Sequence, residues 1–315
     1  MSVMVVGSVA FDTLKTPEGE REEILGGSAT YFSLAASYFT KVHMVAVVGE
    51  DFPAEHFDLL KRAGVDISGV QVASGKTFRW SGSYLEDLND AKTLKTELNV
   101  FEQFRPKIPK EYQNDRYVFL ANIDPLLQRD VLSQVKSPKF VMLDTMNLWI
   151  QMKKDVILGL LKKADLFVLN EKEAKLLTGQ SNLVRAAKDL LARGTKHVVI
   201  KKGEHGAILV SKNEVFAAPG FPVERVYDPT GAGDSFAGGL MGFLAKRDKI
   251  DTMTLRKAII YGSVIASFAV ESFGLERLSK LTDKAITSRY NEFKAMTSFD
   301  VMVPEEDWRS ARSAK

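Results

Sequence analysis

The chain has 315 residues, 45% of them hydrophobic, and its 43 basic and 40 acidic residues give a formal net charge of +3. That length and apolar content suffice for a large buried core, and the scattered, nearly balanced charge excludes nucleic acid or a membrane as the main partner. The absence of cysteine excludes a disulfide framework, a thiolate metal site and a cysteine nucleophile, and a cytoplasmic location is expected.

The first seven residues carry no basic leader and no long apolar segment, so no secretion signal is expected, and they run into a short apolar strand at 3–6. Further apolar strands are predicted at 42–48, 118–120, 140–143, 166–169 and 197–200, with helices at 30–39, 53–63, 171–177, 183–193, 235–246 and 255–272. Strands that are apolar throughout belong in a parallel sheet covered on both faces. The alternation therefore predicts an α/β fold, a doubly wound and mostly parallel sheet covered by helices.

Residues 13–25 and 70–104 break this rhythm with short alternating runs. They read equally as a small β-sheet lid that keeps water from a polar site or as an ordinary surface hairpin. The division expected is a body of residues 1–12, 26–69 and 105–303, a lid of 13–25 and 70–104, and a loosely ordered polar tail at 304–315. The most apolar run, 236–245, is interrupted by three glycines and is too short to span a bilayer. The four histidines, His43, His56, His197 and His205, have no metal-ligand spacing.

The stretch from Asp228 to Leu240, Asp-Pro-Thr-Gly-Ala-Gly-Asp-Ser-Phe-Ala-Gly-Gly-Leu, concentrates the chemistry. Gly231, Ala232 and Gly233 lead into a predicted helix, and small residues let successive backbone N–H groups converge on an anion at the positive end of the helix dipole. Asp234, in the first turn, reads as a helix cap or as a base taking the proton of an attacking hydroxyl. Its combination with the small-residue loop and with Asp228 favours phosphoryl transfer. The stretch lacks the Gly-Lys-Ser/Thr ending of a P-loop, and no dinucleotide fingerprint follows the first strand.

This stretch resembles the C-terminal signature of the ribokinase-like, or PfkB, family of carbohydrate and nucleoside kinases. Supporting matches follow in order: Gly7-Ser-Val-Ala-Phe-Asp12, Gly26-Gly27-Ser-Ala, Asn170-Glu-Lys-Glu173 and Lys202-Gly-Glu-His-Gly206. The resemblance spans about residues 1–275 and implies ATP and magnesium as cofactors, the nucleotide and catalytic sites lying in the body. It makes Asp234 the general base and Gly231, Ala232 and Gly233 the anion hole. It matches Asp12, Gly26 and Gly27 to substrate binding, and Asn170 and Glu173 to the arrangement of magnesium, water and phosphate. Without the other motifs, that pair would read as a helix cap with a first-turn acid.

Lys201, Gly203 and Gly206 match the loop near the nucleotide phosphates, although Lys201 replaces the family's usual Thr and would reach either ATP or solvent. Ser263 and Gly274 match positions around the adenine and a monovalent-cation loop, whose ligands would be Asp228 and the Thr230 carbonyl, so potassium activation is implied. Tyr31 stands where the family often has a sugar-binding Asn. Phe11, Tyr31, Phe78, Trp80, Asn99, Phe101 and Asn122 are the aromatic and polar candidates for the acceptor pocket. A sugar and a ribonucleoside both remain open as substrate, the second through a similarity to bacterial adenosine kinases. A catalytically idle nucleotide- or sugar-binding protein and a vitamin-precursor kinase are the other readings. The resemblance also carries a homodimer formed through the lid, whose sheet edges would gain from pairing.

Overall fold

A computed structural model describes residues 1–85 and 87–298, and the tail expected at 304–315 lies outside them. The chain opens with β1 (Ser2–Val6), followed by the hairpin β2 (Ala10–Thr16) and β3 (Gly19–Gly26), then α1 (Ser28–Ser37). Next come β4 (Lys41–Gly49), α2 (Ala54–Arg62), β5 (Val65–Ala73) and a second hairpin, β6 (Phe78–Ser83) and β7 (Lys92–Glu97). Strands and helices then alternate: β8 (Tyr117–Leu120), α3 (Pro125–Gln134), β9 (Phe140–Leu143), α4 (Asn147–Leu160), β10 (Leu166–Asn170), α5 (Glu171–Thr178) and α6 (Leu183–Ala192). After β11 (His197–Lys201), β12 (Ala207–Ser211) and β13 (Glu214–Ala218) come α7 (Ala232–Arg247), α8 (Thr252–Ala269) and α9 (Asp283–Thr297).

The large sheet has the order β13-β12-β11-β10-β9-β8-β1-β4-β5. Its strands from β5 to β11 pair in parallel, and β12 and β13 add an antiparallel edge. β1 shows why the sheet is covered on both sides: Val3 and Val5 enter one core with α1, α7 and α8, while Met4 and Val6 enter a second with α4 to α6. The chain moves outward from β1 to β4 and β5, then returns to β8 on the other side of β1. Strand order therefore reverses between β1 and β8, and the crevice at their carboxyl ends is where such sheets bind ligands.

The small sheet has the order β3-β2-β6-β7, with β2 and β6 parallel and the outer pairs antiparallel. Both of its hairpins leave the carboxyl ends of large-sheet strands, so it stands over that crevice. The large sheet keeps β5 through Ala73, and the small sheet already begins at Ala10. Periodicity did not announce α4, because non-helical backbone at Lys153 (φ −140°, ψ 35°) breaks its register. α3 is started by an Asp124 cap, whose carboxylate accepts from Leu126 N–H at 2.9 Å, with Pro125 in its first turn.

Candidate active site

Five segments meet at the crevice, and each is shaped by a local rule. The first follows β1, where Ser8 and the start of α1 exchange hydrogen bonds: Ser8 N–H donates to Ser28 Oγ and Ser28 N–H to Ser8 Oγ, both at 3.1 Å. Asp12, in β2, is buried at 4% exposure directly beside Gly26. A Cβ on Gly26 would lie 1.9 Å from Asp12 Oδ2, so no other residue leaves that carboxylate its place. Gly27 (φ 94°) precedes α1. Burial, then the charge of Asp228, raises the Asp12 carboxyl to about 8 against the pull of the Gly27 N–H, with Asp234 adding a further rise.

The second loop is the glycine-rich stretch. Asp228 is almost fully buried, and its two oxygens accept from Thr230 N–H at 2.8 Å and Gly274 N–H at 2.9 Å. Gly231 adopts the left-handed conformation (φ 72°) at the N-cap of α7, and the Tyr31 ring lies so close beneath it that a Cβ would sit 2.3 Å from ring carbons. No side chain caps this helix. Ala232 N–H goes to the Pro229 carbonyl and Ser235 N–H to that of Gly231. Gly233 and Asp234 lie between them, where helix geometry leaves N–H groups without intrahelical partners. Tyr31 is thus packed under the loop, with its hydroxyl buried and unpartnered and its titration pushed up by burial and by the Asp228 and Asp12 charges.

The third, fourth and fifth segments end β9, β10 and β11. Lys201 turns inward, its Nζ 3.7 Å from Asp144 Oδ2, and a Cβ on Gly233 would lie 2.9 Å from that Nζ. Burial, then the charge of Asp144, raises the Asp234 carboxyl to about 7, while Lys201 and the residue's own amide oppose the rise. Asn170 and Glu173 form a full capping box at the start of α5: Glu173 N–H donates to Asn170 Oδ1 at 2.8 Å and Asn170 N–H to Glu173 Oε2 at 2.7 Å. The same carboxyl is buried and raised to about 8 by desolvation, with Lys201 opposing. Three acids, Asp144, Glu173 and Asp234, therefore share one ammonium.

The small sheet touches this floor. Thr230 Oγ1 donates to the Tyr84 hydroxyl at 3.2 Å, and Thr16 Oγ1 donates to the Tyr227 carbonyl at 2.9 Å. Farther along the cleft, Asn89 Nδ2 donates to Glu204 at 2.6 Å and Asp90 pairs with Lys172 at 2.7 Å. The β6–β7 loop thereby reaches the turn of Gly203 and Gly206.

The sequence-predicted residues Asp12, Gly26, Gly27, Tyr31, Asp228, Thr230 to Asp234, Lys201, Asn170 and Glu173 are joined by these contacts and charges into one cluster. Ser263 is buried in α8. Asn99 sits in a short turn after β7, its Nδ2 donating to the Thr77 carbonyl at 3.0 Å. Asn122 follows β8 and accepts from Trp149 Nε1 at 3.0 Å. Phe78 stacks on Phe101 at 5.2 Å and Phe11 packs on Phe52 at 5.8 Å, while Trp80 donates to Thr93 within the small sheet. Sequence reading passed over Asp144 and Tyr84. An aspartate directly after an apolar strand was a usable signal for the first, because strand carboxyl ends line the crevice. Nothing local distinguishes Tyr84.

Residues 2–281 match the family model described as pfkB family carbohydrate kinase. A cytidine kinase of Thermococcus kodakarensis is 33% identical over 248 residues, which cover 76% of this chain and 87% of that protein. The nucleoside kinase of Methanocaldococcus jannaschii has a similar structure, with a TM-score of 0.75 at 20% identity over 92% of this chain and 98% of that one. A double mutant of a fructokinase from Vibrio cholerae O395, with fructose, ADP and potassium bound, gives 0.76 at 18% identity over 92% and 98%.

Proposed function

The chain belongs to the pfkB family of carbohydrate kinases, and from that premise we propose that it transfers a phosphoryl group from ATP to a primary hydroxyl of a ribonucleoside or sugar, with Asp234 as the general base. The observation that carries this reading is the placement of the Asp234 carboxyl beside unspent N–H groups at the start of α7 and within the field of Lys201. A base raised to about 7 holds a proton well enough to accept one and still ionises near neutrality. The turn of Gly231, Ala232 and Gly233 would serve as the anion hole by exposing the N–H groups at Gly233 and Asp234 to the negative charge that develops on the transferred group, while the Ala232 N–H is spent within the turn. Asp12 fixes the acceptor by accepting from its hydroxyls.

The residues fit a nucleotide phosphate. Unpaired amides at a helix start and a buried ammonium are anion partners. When bound, ATP supplies the phosphoryl group and magnesium offsets its charge. Magnesium would be held largely by phosphate oxygens, with Glu173 acting indirectly. The Asp228 tie between Thr230 and Gly274 suits a monovalent-cation loop, and the fructokinase with bound potassium supports that reading. Replacing potassium by sodium or tetramethylammonium should lower the rate; an unchanged rate would count against the cation loop.

The cytidine kinase of T. kodakarensis favours a ribonucleoside over a free sugar. A phosphoryl-transfer screen over ribonucleosides, pentoses, hexoses and phosphosugars, with magnesium and potassium present, tests the function. Transfer to at least one of them is expected, and ATP binding without transfer to any would favour an idle binding protein instead.

A further inference from the structure

Lys201 stands where an anion at the start of α7 would meet it, and its present partner holds it loosely. β11 pairs with β10 through Lys201 and Asn170, so Lys201 lies at the carboxyl edge of the sheet. Its side chain reaches across the end of β10 to Asp144, which follows β9 on the far side. Asp144 is a fixed anchor. Its N–H donates to the Leu120 carbonyl at 2.9 Å, its carbonyl accepts from Gln128 Nε2 at 2.9 Å, and its Oδ1 accepts from Thr145 N–H at 2.8 Å. Oδ2 is left for Lys201, and the 3.7 Å to Nζ is longer than a hydrogen bond. Gly233 borders the same ammonium, since a Cβ there would lie 2.9 Å from Nζ. Burial lowers the titration of the ammonium, but the charges of Asp144, Glu173 and Asp234 raise it further, so it stays protonated.

An ammonium carries three N–H groups, and a buried one is fully compensated only by close acceptors. The loose Asp144 pair leaves that need to an incoming anion, and the N–H groups at Gly233 and Asp234 draw an anion to the same turn. We propose that Lys201, positioned by Asp144, is a catalytic residue that binds the transferring phosphoryl group and so completes the anion hole with a full positive charge. This rests on reading the crevice as a kinase site. In the step, the acceptor hydroxyl gives its proton to Asp234 and its oxygen bonds the γ-phosphorus. The bond from that phosphorus to the β–γ bridging oxygen breaks, and ADP leaves with the electron pair. Lys201 keeps its proton throughout. Its charge counts most while negative charge spreads over the transferring group, so it acts on rate more than on nucleotide affinity. A counter-ion serving only the buried acids would show no such preference.

Calorimetry with ADP alone and with ADP plus aluminium fluoride, magnesium present, compares the ground state with a mimic of the transferring phosphoryl group. Single-turnover transfer to the acceptor found by the screen gives the rate. Lys201→Met should weaken the aluminium fluoride complex and slow transfer about 100-fold or more, with ADP binding unchanged. Asp144→Asn should cost about tenfold, and nothing further in the Lys201→Met background. If Lys201→Met does not fold, Lys201→Gln, which keeps a polar group against the buried acids, decides. Mimic binding and a transfer rate that stay at wild-type levels in the variant overturn the assignment. So does a loss confined to the rate that vanishes on the alkaline plateau of the variant's own pH profile, because Lys201 would then act only through Asp234. A wild type that gains nothing from aluminium fluoride and transfers to no acceptor overturns the kinase reading, and this assignment with it.

Discussion

At the scale of single residues, the site depends on carboxyls kept away from water. Burial raises the Asp234 carboxyl from its ordinary 3.8 to about 7, so the folded protein holds that proton more tightly than the unfolded chain does. The resulting destabilisation is complete above about pH 7 and is lost as pH falls to about 4. Asp234→Asn should therefore be more stable than the wild type at pH 8 by at least ~1 kcal/mol, and the gap should close near pH 4 in denaturant titrations. For the same reason kcat/KM should fall about tenfold per pH unit on the acid side of about 7. Gly26→Ala tests the opposite wall. Its Cβ would collide with Asp12 Oδ2, and if Asp12 holds the acceptor as proposed, displacing its carboxylate by an ångström costs up to ~100-fold. A large loss in kcat/KM for the acceptor is expected, with the KM for ATP preserved.

At the scale of elements, the glycine-rich turn at the start of α7 and the capping box at the start of α5 are both built from local backbone rules. Gly231→Ala would force a side chain into a left-handed position and against the Tyr31 ring. The cost should reach about 2 kcal/mol or more in thermal or chemical unfolding. Asn170→Ala removes one half of a capping box and should cost about 1 kcal/mol. The glycine-rich turn was legible in the sequence because its left-handed Gly231 and its open backbone need small residues, which the stretch displays. Asn170 and Glu173 were legible as a motif, and their spacing is also that of the cap they form. The pairing of Lys201 with Asp144 was not legible: 57 positions separate them, and only the neighbouring order of β9, β10 and β11 brings them together. The first turns of α4 were hidden by the irregular backbone at Lys153.

At the scale of the molecule, the doubly wound sheet was readable from its fully apolar strands, and the comparisons agree with that architecture. What could not be read is how the small sheet meets the body, since its contacts join residues far apart in sequence: Tyr84 with Thr230, Glu18 with Arg225, and Asn89 with Glu204. These contacts place the small sheet across both ends of the crevice. Surface pairs of this kind add little to global stability. The double change Asn89→Ala and Asp90→Ala should leave the thermal midpoint almost unchanged while raising the KM for the acceptor and speeding proteolysis in the β6–β7 loop. The most direct test of the whole account is single-turnover phosphoryl transfer by Asp234→Asn, shown to be folded and to bind ATP, on the acceptor found by the screen. Loss of the base predicts a rate at least ~100-fold below wild type, and a rate close to wild type would contradict the role assigned to Asp234.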